Sequence, residues 1–329
     1  MGRPLKIVAA IVALLAVAGG ALAAWGYNAY ISPGPSTAPV TVIIERGTGT
    51  NGIARALYGA GVLAEPLVFR LVARWGSGAP LKAGEYEFAA AITPKAAIEL
   101  MRSGRTVVRR LTVVEGLTVA DAMALLTGAA GLSGKLPAAP PEGSLLPETY
   151  HFSYGDKREQ LLRRMQDAMR DLVENLWRNR SPEVPLMTPG QAVILASIVE
   201  KETAKPAERP RIAAVFLNRL KRKMRLQSDP TVVYGLTQGA APLGRALTRA
   251  DLKQPSPYNT YLIDGLPPTP ISNPGSASLE AVLRPAATED LYFVADGSGG
   301  HVFATTLEEH NRNVAKWRKL NKNGGDGRQ

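Results

Sequence analysis

The feature that most constrains this chain is a long apolar run at its N-terminus, preceded by two positive charges. Arg3 and Lys6 come before the run, which extends over residues 7–25, and no further charged residue occurs before Glu45. A run of this length can cross the hydrocarbon core of a bilayer, which is roughly 30 Å thick. Positive charge on its N-terminal side predicts that residues 1–6 are cytoplasmic and that the body is outside.

The same run also fits a cleaved signal peptide. Ala21-Leu22-Ala23 matches a small-x-small cleavage site. Trp25 and Tyr27 follow the run, where an interfacial aromatic belt of an anchor would lie. Both interpretations export the body, so we expect either a retained anchor over residues 7–25 with a linker over 26–39, or a processed exported protein.

Composition excludes several classes of function. Of the residues, 45% are apolar and 20% are charged, which is typical of a folded body rather than a disordered chain. The net charge of +11 favours anionic partners without choosing among them. Because the chain has no cysteine, disulfides, thiolate catalysis and cysteine-based metal sites are excluded. The three histidines are scattered, and His301 is predicted to be a surface or turn residue rather than a ligand.

A small module is predicted after the linker. The β-branched strand Val40–Ile44 leads through Gly47–Gly52 into an apolar-periodic helix. This turn matches G-x-G-x-x-G, but no clear second parallel strand ending in an acidic residue follows, so we interpret the glycines as a tight turn. A strand, a turn and a helix recur over residues 111–132, and we predict one α+β module over residues 40–135.

One carboxylate occupies an unusual position on a predicted helix. The helix begins with Thr188 as N-cap and Pro189 as first residue. Glu202 lies four residues after Ile198 and extends an apolar stripe, whereas Glu200 lies on the other side. A carboxyl group beside apolar side chains has a raised pKa and can act as a general acid. The alternative is a solvated glutamate at a helix end, and these residues alone leave both interpretations open.

A series of segments resembles the YceG-like endolytic murein transglycosylases. They occur in the family's order and are most specific over about residues 195–300. In chain order they are 196–203 (ASIVEKET), 215–220 (VFLNRL), 224–235 (MRLQSDPTVVYG), 258–261 (YNTY), 265–268 (GLPP), 270–275 (PISNPG) and 292–295 (YFVA).

The resemblance implies a reaction and a catalytic residue. Glu202, the second acid of E-K-E-T, would protonate the glycosidic oxygen between N-acetylmuramic acid and N-acetylglucosamine within peptidoglycan glycan strands. The carboxylate would then accept the proton of the muramic C6 hydroxyl as a 1,6-anhydro ring closes, with no metal and no organic cofactor. The implied partners are glycan strands and the inner membrane, with cell-wall synthesis enzymes as a further candidate.

The resemblance also implies an architecture. It is an α+β chain with an N-terminal transmembrane helix, a small LysM-like α+β module over residues 40–135 and a larger α+β catalytic domain over 142–320. A polar tail over 321–329 ends the chain. The protein would be a single-pass inner-membrane protein with a cytoplasmic N-terminus and a periplasmic catalytic body.

Amide, carboxylate and aromatic side chains in the matching segments are candidate sugar contacts, because they suit hydroxyl-rich rings. A structural role is the alternative for each of them. These candidates are Asn218, Gln227, Asp229, Tyr234, Tyr258 and Asn259.

Three other functions remain as alternatives. A hydrolase (muramidase) would use Asp229 as a second carboxylate that activates water. A non-catalytic scaffold would bind the wall through the small module alone. A basic nucleic-acid binder is disfavoured by export and by an aromatic content of only 6%.

Overall fold

The structure, a computed structural model, describes the backbone of residues 3–324 and the side chains of residues 5–319. Helices and strands are mixed along this part of the chain, as an α+β fold requires. In chain order they are α1 (Arg3–Ile31), β1 (Val40–Ile44), α2 (Thr50–Gly59), α3 (Pro66–Trp75), β2 (Gly84–Phe88), α4 (Pro94–Ser103), β3 (Val108–Thr112), α5 (Val119–Gly128), β4 (Thr149–Ser153), α6 (Arg158–Arg178), α7 (Pro189–Glu202), α8 (Arg209–Lys221), α9 (Asp229–Thr237), α10 (Ser276–Leu283), β5 (Tyr292–Ala295), β6 (His301–Ala304) and α11 (Leu307–Gly324).

The first helix contains the apolar run and is longer than expected. Its apolar segment, Leu5–Ile31, has 27 residues and a mean hydropathy of 2.6. It therefore continues through the first part of the predicted linker. The helix ends just before Ser32-Pro33, because proline lacks an N–H and disfavours a helical conformation in the residue before it.

The chain forms two compact units. The first contains Met1–Arg109 with two short later segments, Gly131–Ser133 and His151–Asp156, and the second contains the rest. This division differs from the predicted module over residues 40–135, because Arg110–Ala130 belong to the second unit. Strand β3, in the second half of that module, pairs with β4 rather than with β1 or β2. The predicted domain limits thus stay a prediction.

The first unit is built around an antiparallel strand pair. In this pair Val42 lies opposite Tyr86 and Ile44 opposite Gly84. Helices α2 and α3 connect the two strands, and α4 follows them. The resulting order is strand, helix, helix, strand. The largest fully buried side chains of this unit are Leu57, Leu63, Phe69, Tyr86, Phe88, Ile98 and Met101.

The second unit has its core around α7, which packs against α6, α8 and α10. Leu161, Met165 and Met169 lie at helical spacing along α6 and are buried. Near the C-terminus, β5 and β6 form an antiparallel pair. Helix α11 continues to Gly324, so the expected polar tail is helical over its first four residues and otherwise lies outside the described residues.

Candidate functional site

Helix α7 places Glu202 at its C-terminal end. The predicted N-cap is confirmed, since the Thr188 side chain accepts a hydrogen bond from the Gln191 N–H at 3.2 Å and Pro189 follows. The helix ends at Glu202, and the extended backbone of Thr203 follows. A rigid, capped helix therefore fixes the position of the Glu202 backbone.

The expectation that Glu202 lies on a more apolar face of α7 than Glu200 is wrong. Ala196 and Ser197 are fully buried as well as Leu195 and Ile198, because α7 is covered on several sides rather than along one stripe. Glu200 itself has a side chain only 4% exposed. Burial alone therefore does not distinguish the two glutamates.

Pairing distinguishes them. Glu200 Oε1 forms an ion pair with Arg209 Nη2 at 2.8 Å, and its Oε2 accepts the Gly275 N–H at 2.9 Å. The same Arg209 nitrogen also contacts Glu115 Oε2 at 3.0 Å. Among the described side chains, no basic group forms an ion pair with Glu202. Glu200 is thus held as a paired carboxylate, and Glu202 is not.

The surroundings of Glu202 favour the protonated, neutral form of its carboxyl group. It is a partly exposed residue, yet the protein around its carboxyl group raises the pKa by burial, and the charge of Asp229 raises it further. A hydrogen bond from the Ser228 hydroxyl and the charges of His301 and Arg219 oppose this rise without cancelling it. The raised pKa keeps a proton on Glu202 at a higher pH than an ordinary glutamate would keep it.

The segment around Ser228 is held rigidly beside Glu202. The Ser228 N–H donates to Thr260 Oγ1 at 2.9 Å, and the Gln227 N–H donates to the Thr260 carbonyl at 3.1 Å. Arg219, only 7% exposed, donates from Nη1 to the Leu226 carbonyl at 2.7 Å. Sequence reasoning missed both Ser228 and Arg219, although each lies inside a matching segment next to a chosen residue.

Asp229 begins α9 and is engaged by a tyrosine. The Tyr261 hydroxyl donates to Asp229 Oδ1 at 2.6 Å. Burial and the adjacent Asp229 carboxylate both raise the pKa of Tyr261, so this hydroxyl keeps its proton. The hydrogen bond orients Asp229 toward a fixed donor.

Two neighbouring cavities of the second unit contain the candidate residues. Glu202 lines a cavity of about 390 Å³, together with Glu200 and Arg209. Asp229 and Tyr234 line a larger cavity of about 450 Å³, which does not include Glu202. Both cavities include Gly116 and Lys201, and Lys201 Nζ donates to the Gly116 carbonyl at 3.3 Å. The two cavities therefore share part of their wall.

Two predicted sugar contacts have structural roles. The Asn218 amide donates to the carbonyls of Thr288 and Asp290 at 2.8 and 3.0 Å. Asn259 is fully buried, and its amide donates to two backbone carbonyls while its oxygen accepts the Tyr261 N–H. Their hydrogen-bonding groups hold loops in place, which supports the structural alternative for these two residues, and a sugar contact at either stays a prediction.

The other candidates lie in different settings. Tyr258 is largely buried, its hydroxyl bonds Thr269 Oγ1 at 2.8 Å, and its ring lies 4.9 Å from that of Tyr234. Gln227 Oε1 accepts a long hydrogen bond of 3.5 Å from Arg219. Of the six predicted contacts, the structure therefore brings Asp229 and Tyr234 to the cavity of about 450 Å³, with the Tyr258 ring packed against that of Tyr234.

His301, predicted to be a surface or turn residue, directly follows the turn between β5 and β6 and is mostly buried. Its side chain is 16% exposed, and its Nδ1 lies 2.7 Å from Glu208 Oε2. It also packs edge-on against Phe293. The charge of His301 lowers the pKa of Glu202. This interaction could not be predicted from the sequence, in which the two residues are almost 100 positions apart. Among the described residues, no group of three or more histidine, aspartate or glutamate side chains is arranged to hold a metal ion.

Comparisons with known proteins agree on one family. A model of the YceG-like family matches residues 42–316. A Bacillus subtilis protein named endolytic murein transglycosylase is 31% identical in an alignment of 318 positions that covers 86% of each chain. A Streptococcus pneumoniae protein of the same name is 31% identical over 84% of this chain, which spans only 58% of that protein. The crystal structure of a YceG-like protein from Listeria monocytogenes matches 84% of this chain and 99% of its own, with a TM-score of 0.51 and 32% identity.

Proposed function

The chain belongs to the YceG-like family, and we propose that it is an endolytic murein transglycosylase with Glu202 as its acid and base. The observation that carries the catalytic assignment is the environment of Glu202. Its carboxyl group has a raised pKa, no cationic partner among the described residues, and a place in the wall of a cavity. The raised pKa keeps a proton available for transfer, and the place in a cavity wall leaves the carboxyl group accessible to a substrate.

The proposed reaction uses one carboxyl group twice. Protonated Glu202 gives its proton to the oxygen that leaves the muramic anomeric carbon. The resulting carboxylate then accepts the proton of the C6 hydroxyl, whose oxygen bonds to the anomeric carbon and closes the 1,6-anhydro ring. Ser228 stabilises the carboxylate stage through its hydrogen bond, while burial favours the return of the proton.

A muramidase that uses Asp229 is the second candidate. The charge of Asp229 acts on Glu202, and Asp229 lines a cavity, so a second carboxylate is near. Its carboxylate is engaged by Tyr261, which favours a positioning role over water activation. The products separate the two reactions, because a lyase leaves anhydromuramic ends and a hydrolase leaves reducing ends.

The N-terminal helix supports an anchored, exported enzyme. Helix α1 is long and apolar enough to span a bilayer, and its apolar window is not covered by protein. With Arg3 and Lys6 at its start, the charge rule places the N-terminus in the cytoplasm and the catalytic body in the periplasm. A signal peptide remains the alternative, and a mature N-terminus near Ala24 would establish it.

We assign the first unit a role in positioning glycan, as a LysM-like module. The support is its strand, helix, helix, strand order over Val40–Phe88 with an antiparallel strand pair. No chemistry is assigned to it. If its glycan contact were the whole function, the protein would be a non-catalytic scaffold, and Glu202 would be dispensable.

The test uses the full chain in detergent with purified murein sacculi, followed by mass analysis of the released sugars. We expect anhydromuramic products from the native protein. The activity of Glu202→Gln should be lower by at least ~10²-fold, since general acid–base catalysis contributes about 10²–10⁴-fold to the rate. Glu174→Gln, on the exposed surface of α6, is the matched control and should keep full activity. Reducing ends as the main product, together with a similarly inactive Asp229→Asn variant, would establish the hydrolase. An active Glu202→Gln variant would refute the catalytic assignment.

A further inference from the structure

Helix α3 carries an apolar stripe on its outer face. Leu67, Leu71 and Trp75 are 38%, 39% and 74% exposed. They are spaced four residues apart, so they lie on one face of the helix. Phe69, on the opposite face, is fully buried in the first unit. An exposed row of large apolar side chains marks a surface that meets a partner.

The position of this helix beside α1 identifies the partner. Within the first unit, α1 packs against both α3 and α4. Side chains from Leu5 to Trp25 are exposed, and protein begins to cover α1 only at Gly26, with Tyr30 packed against the core of the unit. From Trp25 to Tyr30 the helix rises only about 8 Å. When α1 spans a bilayer, α3 therefore lies at the level of the lipid headgroups.

The chemistry of α3 fits a lipid surface. Arg74, in the last turn of α3, is exposed next to the stripe, and the helix contains no acidic residue. Tryptophan is favoured at membrane interfaces, and arginine attracts anionic headgroups. The nearest acid in sequence, Glu65, is engaged as the N-cap, where it accepts the Leu67 N–H at 2.7 Å.

We propose that α3 lies on the membrane surface, with Leu67, Leu71 and Trp75 inserted at the headgroup level of an anionic phospholipid bilayer. The first unit then has two membrane contacts, the span α1 and the surface helix α3. This contact fixes the orientation of that unit on the bilayer. The proposal rests on the proposed anchorage by α1 and is independent of the catalytic assignment.

The absence of cysteine permits a direct test. Single cysteines are introduced as Leu71→Cys, Val12→Cys and Met187→Cys, and each full-length variant is spin-labelled in vesicles of phosphatidylglycerol and phosphatidylethanolamine. Val12 lies in the middle of α1 and reports the anchor. Met187 is apolar and 82% exposed in the second unit, so it is the matched aqueous control. Electron paramagnetic resonance compares access of each label to oxygen, which dissolves in lipid, and to a water-soluble nickel complex.

The expected result is preferential oxygen access at positions 12 and 71, and preferential nickel access at position 187. A label at 71 that is open to nickel, while the label at 12 is in lipid, would overturn the surface helix and leave the anchor intact. A label at 12 in water would overturn both. Spin–spin broadening at position 71 would show a second copy of the chain on this face and would also overturn the proposal.

Discussion

Replacing Arg209 by methionine tests the idea that pairing, rather than exposure, separates Glu200 from Glu202. Methionine keeps much of the apolar volume of the arginine stem but removes its charge. In the native structure the Arg209 and Glu200 side chains are 9% and 4% exposed, so the pair is buried. Without Arg209, Glu200 would be an uncompensated charge inside the second unit.

The expected cost follows from this burial. Breaking one side of a buried ion pair costs about 3–5 kcal/mol, because the remaining charge stays desolvated. The contact with Glu115 adds little, since the Glu115 side chain is 39% exposed. Arg163→Met is the matched control, because its pair with Glu159 is 70% and 43% exposed and such helix pairs contribute about 0.3–0.5 kcal/mol.

Denaturant unfolding of the full chain in detergent measures both variants. Tryptophan fluorescence reports the second unit through Trp177, which packs against its core. The double variant Glu200→Gln with Arg209→Met removes both charges and should recover most of the lost stability. A loss below about 1 kcal/mol for Arg209→Met, or no recovery in the double variant, would refute the argument that Glu200 depends on this cation.

Two further predictions concern the proton on Glu202. Ser228→Ala removes a hydrogen bond that lowers the Glu202 pKa, so the alkaline limb of the pH–activity profile should move to higher pH. The control is Ser197→Ala, which removes a buried hydroxyl of α7 that does not contact Glu202 and should leave this limb in place. Because the folded Glu202 pKa lies above its unfolded value, the stability from this group is present below the unfolded pKa and is lost as the pH rises through the folded pKa. Glu202→Gln does not titrate, so its free energy of unfolding should exceed that of the native protein at mildly alkaline pH, and this advantage should disappear at acid pH.

Local signals in the sequence predicted local structure well. The Thr188-Pro189 start of α7 and the apolar N-terminal helix depend on neighbouring residues, and the structure confirms them. The pairing of β3 with β4 depends on residues distant in sequence. The apparent repeat of strand, turn and helix therefore predicts one module over residues 40–135, whereas Arg110–Ala130 belong to the second compact unit.

The candidate site was harder to predict, for a physical reason. A motif shows that an asparagine is present but not which groups its amide meets after folding. Asn218 donates to Thr288 and Asp290, some 70 positions along the chain, and this contact has no local signature. The sequence does not single out Ser228 and Arg219, because their roles depend on contacts that form only in the folded protein. Ser228 bonds Glu202, and Arg219 bonds the segment that precedes Ser228.

The sequence argument that only Glu202 lies on a buried face of α7 is wrong. Helical periodicity assumes one buried face, whereas α7 is covered on several sides and Glu200 is also buried. Glu200 and Glu202 differ because the fold places the guanidinium of Arg209 beside Glu200. Arg209 reaches Glu200 and fixes the position of that carboxylate, and Glu202 at the end of the helix receives a serine hydroxyl instead. A neutral hydrogen bond stabilises a carboxylate less than an ion pair does, so burial prevails at Glu202 and the proton stays available for transfer.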